Sequence, residues 1–394
     1  MNYNNPIPIS LSNLIRISCA ALFALFSFFY LYTIQGYVLA AAQYVFSGGV
    51  TTYSRFIGAL IITAILMLVQ HIVSKLPYLS GRWYAFTYAP SFVLLAMLTS
   101  LSRDSIQHFT FGSWLWVVPV FVVLYWVFLL LMRRMPDTSI AQGDYTTGRY
   151  LWTNFATLLV MMLMCGNNAP ARDVYLYELK AEQLLVEGDY EGASRVGEKS
   201  LDVSPRLNEL RMYAIARQGL LGEKLFDYPQ PFAEHSLILF DDTITRFSRF
   251  TSKDIQESLG AWANSSVNNV DQYLDLLRKN PATKDNALLG DYVLSSKLLQ
   301  GDIRGFNMLV RKYHPELSNP SAVTTMPRAY REALLLQARA ISNDSLAAFA
   351  DTLMLANYRE YVKTRDEETD SLVRANRLRR LFGNTLWWHL DYML

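Results

Sequence analysis

The sequence predicts an all-α fold in two parts, a multi-span transmembrane helical bundle followed by a tetratricopeptide-like α-helical repeat domain. Three observations lead there. Up to Pro170 the chain carries eight Lys/Arg and three Asp/Glu; the other 28 basic and 31 acidic residues follow it, so the net charge turns from +5 to −3. The first part holds charge-free apolar runs at 17–54, 56–74, 83–102, 105–132 and 150–171. Hydrocarbon excludes charge, and a helix needs about 20 mostly apolar residues to cross it. Beyond residue 171, helical periodicity dominates over strand-like alternation, broken by Gly-Asp and Asn-Pro turns.

The spacing gives about five spans, at 14–35, 56–74, 83–102, 114–132 and 150–166, within a transmembrane domain of residues 1–169. The 17–34 run is longer than a signal-peptide core and no small-residue cleavage site follows, so it reads as a retained span. The stretch 37–46 is too short to cross and reads as an interfacial or re-entrant helix ending at Ser47-Gly48-Gly49, with Ser47–Tyr53 a plain turn. Pro90 suggests a kink in the third span. Basic flanks orient the bundle. With the N-terminus inside, Arg16, Lys75, Arg82, Arg133, Arg134 and Arg149 lie on the inner side, against Arg55, Arg103 and Arg172 outside. Five spans then put the N-terminus in the cytoplasm and the C-terminal domain outside it. No Asp, Glu, Lys or Arg lies inside a span, which disfavours a pump or ion pathway.

Residues 170–394 read as helix pairs. A first helix stops at Gly188-Asp189-Tyr190, and a second runs from Glu191 to Val203 before Ser204-Pro205. Gly188 at the turn, small Ala193 between the helices and Pro205 after them match one tetratricopeptide unit. Gly222, one repeat period on, follows a helix Asn208–Leu221; later pairs turn at Gly301-Asp302-Ile303 and Asn343-Asp344. A helix with Val267, Val270, Leu274 and Leu277 on one face ends at Asn280-Pro281. Such units stack into a solenoid with a concave face lined by first helices. The candidate partner groove is therefore Tyr175, Glu178, Glu182 and Leu185 on the first unit, with Glu209, Met212 and Ala216 on the second.

Chemistry is harder to find. There is no P-loop, dinucleotide fingerprint, H-E-x-x-H, C-x-x-C or G-x-S-x-G. The five histidines are scattered, and the two cysteines, Cys19 and Cys165, stand in separate apolar runs. Neither catalytic residues, cofactor nor metal is expected, and a weakly acidic soluble part argues against nucleic acid. Asp241-Asp242 and Asp366-Glu367-Glu368 read as solvated faces, and His314 as a helix-end cation.

Four stretches carry a family resemblance: Gln43–Gly49 with Thr51-Thr52-Tyr53; Thr87–Ser91 leading into Leu94-Leu95; Met326-Pro327-Arg328-Ala329-Tyr330-Arg331-Glu332-Ala333; and Gly383-Asn384-Thr385-Leu386-Trp387-Trp388. Together the chain resembles an uncharacterised family of multi-span inner-membrane proteins, found chiefly in Bacteroidota and known only as a domain of unknown function. The resemblance implies a multi-span first half and a helical second half, and supplies no activity, ligand or site residue. Two functions fit these expectations. The first is a membrane-anchored protein–protein interaction or assembly factor, its partners the lipid bilayer and another envelope protein or peptide. The alternative is a membrane enzyme or transporter acting on an envelope or lipid-linked substrate where spans and soluble domain meet.

Overall fold

The computed structural model describes residues 9–75, 81–100, 112–134, 146–167, 174–200, 202–240, 248–263, 267–283, 286–318, 320–341 and 352–394. Their regular structure is helical throughout, with no strand among the described residues. The chain forms two compact units, Met1–Leu179 and Lys180–Leu394.

In the first unit α1 (Ile9–Phe29) runs into a π-helical turn, Tyr30–Ile34, followed by α2 (Gly36–Phe46), α3 (Arg55–Val73), a 3₁₀ segment Gly81–Tyr88, α4 (Ala89–Thr99), α5 (Trp114–Arg134) and α6 (Thr146–Asn167). The wider π turn stacks Gln35 over Tyr30. The Gln35 backbone N–H donates to the Tyr30 carbonyl at 3.1 Å, and its side-chain amide donates to the Tyr30 hydroxyl at 3.2 Å. That hydroxyl donates in turn to Thr99 Oγ1 at 3.3 Å, which offsets part of the cost of burying these polar groups in an apolar bundle. Gln70 does the same beside the 3₁₀ segment, donating to Tyr84 and Thr87 at 3.1 and 3.0 Å. Aromatic packing of Phe23 against Tyr88 and Phe92 fills the space between.

Among the described residues, three helices are long and apolar enough to cross a membrane: Asn13–Ile34, Arg55–Val73 and Trp114–Met132. The other two expected spans differ for local reasons. The 83–102 stretch begins as 3₁₀ helix, and Pro90 stands at the start of α4, where its missing N–H costs no hydrogen bond, so it opens a helix instead of kinking one. Helix α6 has the length, but Thr146, Thr147, Arg149, Thr153 and Asn154 make its first turns too polar. Leu25, Phe29, Ile61, Leu68, Val123 and Trp126 are all exposed on the three long helices, the surface that hydrocarbon would cover. The Ser47–Tyr53 loop closes α2, with Gly48 and Gly49 at positive φ (61° and 84°) and Ser47 Oγ accepting from the Thr51 N–H.

Helix α7 (Val174–Glu187) contains the division between units. Tyr175, Leu176 and Leu179 pack on Tyr37, Val38 and Ala41 of α2. The second unit continues with α8 (Tyr190–Ser194), α9 (Pro205–Arg217), α10 (Leu221–Lys224), α11 (Ser252–Leu259), α12 (Val270–Lys279), α13 (Ala287–Leu299), α14 (Ile303–Tyr313), α15 (Arg328–Ile341), α16 (Thr352–Glu367), α17 (Ser371–Phe382) and α18 (Leu386–Tyr392). Helices α9 and α13 are enclosed on nearly every side and pack on each other. From α13 the packing passes through α14 to α15, and from α15 to α18 and α17.

Two turns share one device. In Gly188-Asp189-Tyr190-Glu191-Gly192 and Gly301-Asp302-Ile303-Arg304-Gly305, the first glycine has positive φ (78° and 73°) and the Asp side chain caps the next helix. In both it accepts from the second glycine's N–H at 2.8 Å. Ala193 is fully buried against α9, but the rest of the expected repeat departs from the pattern. The second helix ends at Ser194, not Val203, in turns that include Gly197 at φ 68°. Pro205 opens α9 behind the Ser204 cap. The expected helix Asn208–Leu221 is Pro205–Arg217, and the turn glycine after it is Gly219 (φ 71°). Gly222 lies inside α10, where a Cβ would fall 2.7 Å from the Tyr330 ring and 2.8 Å from Pro327; its role is close approach of α10 to α15. Of the last expected pair, α15 is present, α16 is described from Thr352 onward, and the Asn343-Asp344 turn lies outside the described residues, as does Asp241-Asp242.

Candidate functional site

The seven residues expected along an open groove do not form one. Glu178, Glu182, Leu185, Glu209, Met212 and Ala216 are buried, and Tyr175 is half-buried against α2. The reason is that α9 is the interior helix of its unit, so residues assigned to a concave surface face other helices instead. Two of the seven meet in a buried ionic cluster. The Arg206 guanidinium, 2% exposed, pairs with Glu209 and with Glu182, the latter at 3.3 Å, and also donates to the Phe250 carbonyl. Glu209 accepts in addition from Ser252 Oγ at 2.9 Å and from the Leu239 N–H at 2.8 Å. Burial works against the Arg206 charge, but Glu209 and Glu182 outweigh it and raise its pKa. This cluster ties α7, α9 and the stretches at 239 and 250–252 together and offers nothing to a partner.

A different place combines accessible space with polar chemistry. A half-open cavity of about 380 Å³ lies between the start of α15, the first half of α16 and the α17–α18 junction. Arg328, Arg331 and Glu332 line it from α15, Asn357 and Glu360 from α16, and Trp387 from α18; Leu353, Met354, Leu381 and Phe382 give it apolar walls.

Two arginines in the first turns of a helix oppose its macrodipole, so carboxylates must compensate. They do so from α10 and beyond it. Glu223 accepts the Arg328 backbone N–H at 2.6 Å, capping α15, and Asp227 accepts from the Arg328 guanidinium at 3.2 Å. The same guanidinium donates to the Asn384 carbonyl at 2.6 Å. One turn on, Glu332 accepts the Leu386 N–H at 2.7 Å, at the start of α18, with Arg328 Nε 3.6 Å away. Glu332 is 2% exposed, and burial pushes its carboxyl up to about 7, against the lowering pull of the Leu386 N–H, Arg328 and Arg331.

Thus two stretches singled out in the sequence, Met326–Ala333 and Gly383–Trp388, are brought together by hydrogen bonds and share one cavity. The other two, Gln43–Tyr53 and Thr87–Leu95, belong to the first unit. What the sequence reading missed was that Arg328, Arg331, Glu332 and Trp387 converge. Its legible trace was the pair of arginines at a helix start, a position that favours acids. Of the other expected features, His314 stands at the C-cap of α14 with its backbone N–H on the Val310 carbonyl, and the Asp366–Glu368 cluster pairs with Arg365, Lys363 and Arg377.

Residues 248–393 match a family of unknown function, DUF6057, and that region contains the whole cavity. Neither curated proteins nor solved structures give a match to the chain.

Proposed function

We propose that this chain is a membrane-anchored interaction or assembly factor of the bacterial envelope, whose helical C-terminal unit captures a segment of another protein in the cavity between α15, α16 and α18. The first unit is the anchor in this reading, threading the inner membrane with its N-terminus in the cytoplasm and the second unit in the periplasm. The observation that carries the reading is the character of the cavity. It is half-open and lined by apolar side chains (Leu353, Met354, Leu381, Phe382) together with polar ones (Arg331, Asn357, Glu360), which suits a polypeptide segment carrying both kinds of side chain. It also lies inside residues 248–393, the region that matches a family of unknown function.

A photo-crosslinking amino acid at exposed Asn357, activated in native membranes, tests this. The expected product is one adduct of defined mass that proteolysis degrades to a peptide of a second protein. Adducts consisting of lipid or sugar alone would overturn it.

One observation favours the alternative of an enzyme on an envelope substrate. Glu332 lines a cavity with its pKa near neutrality, as general acids and bases often do. Its carboxylate already holds the Leu386 N–H, however, and a clamp between helices explains its burial without a reaction.

A further inference from the structure

We infer that the first unit carries a binding site for the phosphate of an anionic phospholipid, at the end of the bundle where α1 and α6 begin and α3 finishes. This rests on the anchor reading above and names the lipid that this end selects.

The first ground is convergence, and Tyr84 and Ala85 of the 3₁₀ segment are the meeting point. The Arg16 guanidinium of α1 lies 5.7 Å over the Tyr84 ring. Gln70 of α3 donates to the Tyr84 hydroxyl at 3.1 Å, and Asn154 of α6 accepts the Ala85 N–H at 2.7 Å. Further along the bundle, Phe28 of α1 packs on Phe56 of α3, and the Tyr30 hydroxyl donates to the Cys165 carbonyl of α6 at 3.5 Å. Helix α1 therefore runs antiparallel to α3 and parallel to α6. Lys75 follows Gln70, and Arg149 precedes Asn154, each by about one and a half turns. Both thus extend toward the end of the bundle at which Arg16 stands.

The second ground is charge without counter-charge. Arg16, Lys75 and Arg149 are exposed, and residues 9–167 contain no Asp or Glu among those described. In the sequence, the connections between these helix ends add Arg82, Arg133 and Arg134 against Asp137 and Asp144, which leaves the balance basic. Guanidinium and ammonium groups are the usual protein partners of phosphate. The third ground separates a lipid from a soluble anion. Each basic residue has an exposed apolar neighbour on its own helix: Ile17 beside Arg16, Ile72 one turn before Lys75, and Trp152 one turn after Arg149. A phospholipid covers both kinds of surface, its phosphate on the basic heads and its chains along the apolar side chains. A free anion covers only the first.

Spin-labelled lipids report the preference directly. The full-length protein is placed in phosphatidylcholine vesicles with a trace of labelled phosphatidylglycerol or labelled phosphatidylcholine, and the fraction of each label immobilised on the protein is compared. Phosphatidylglycerol should associate about fivefold more strongly, and raising the salt should shrink the difference. Lys75→Gln combined with Arg149→Gln should bring the two lipids level while the protein melts as the parent does. Arg149→Lys, which keeps the charge, should retain the preference. Equal association of both labels with the parent overturns the inference, as does an unchanged preference in the double variant or a loss of it in Arg149→Lys. Millimolar inorganic phosphate that erases the preference also overturns it, by making this a simple anion site. The two readings fail separately. Protein that stays in native membranes through an alkaline wash but shows no lipid preference leaves the anchor standing and removes the site. Protein released by that wash removes the anchor itself.

Discussion

Glu332 combines burial, a hydrogen bond across two helices and a carboxyl held near neutrality, and its consequence for stability has a definite sign. The folded state holds a proton on Glu332 up to about pH 7, whereas an ordinary glutamate releases it near 4.5. Between those values the folded state binds more protons than the unfolded chain, so this group's contribution to stability falls as pH rises through the window. Above pH 7 the ionised buried carboxylate costs on the order of 3 kcal/mol relative to acid conditions. Glu332→Gln keeps an oxygen for the Leu386 N–H and removes the charge. Its melting temperature relative to the parent should therefore climb from pH 4.5 to 7 and level off above. Parallel profiles would show that Glu332 titrates normally. The buried Arg206 behaves otherwise, since its charge is permanent. Glu209→Ala strips it of its principal partner and should cost roughly 3–5 kcal/mol by chemical denaturation, whereas loss of an exposed pair such as Glu191–Arg195 should cost less than about 1. Equal small effects would mean that solvent reaches Arg206. Composition alone could not have separated these carboxylates: Glu182 and Glu209 look like groove residues in a linear pattern because helical spacing says which face they share, not whether another helix covers it.

At the scale of elements, the Gly-Asp turns were legible because their chemistry is local. Gly188 needs a positive φ and Asp189 needs only the N–H three residues on, so a five-residue window contains the whole device. Gly188→Val should cost about 1 kcal/mol or more through backbone strain alone, since a Cβ there meets nothing. Ala193→Leu should cost roughly 1–3 kcal/mol by overpacking α8 against α9. Thermal melts in which either variant matches the parent would contradict these placements. The repeat period was less legible, because Gly222 stands at the right distance from Gly188 for a reason unrelated to repeats. It admits Tyr330 and Pro327 from more than 100 residues away, a contact that no spacing rule reads. The cavity suffers the same limit. Its residues come from three segments between 328 and 387, and their convergence depends on α18 folding back onto the start of α15.

For the whole molecule, the division into an apolar unit and a charged one was plain from charge placement, whereas which apolar runs form one long α-helix was not. Charge-free length counts 83–102 and 150–166 as equals of the other runs, but a 3₁₀ start and a polar first turn set them apart from the three helices that are both long and apolar. The proposed topology has all five cross, which places the binding unit outside the cytoplasm and gives the capture of an envelope partner its meaning. Reporter fusions after Ser105, Gly143 and Asp189 test that claim most directly. The account predicts that the first and third report the outside and the second the inside; a fusion after Asp189 that reports the cytoplasm would contradict it.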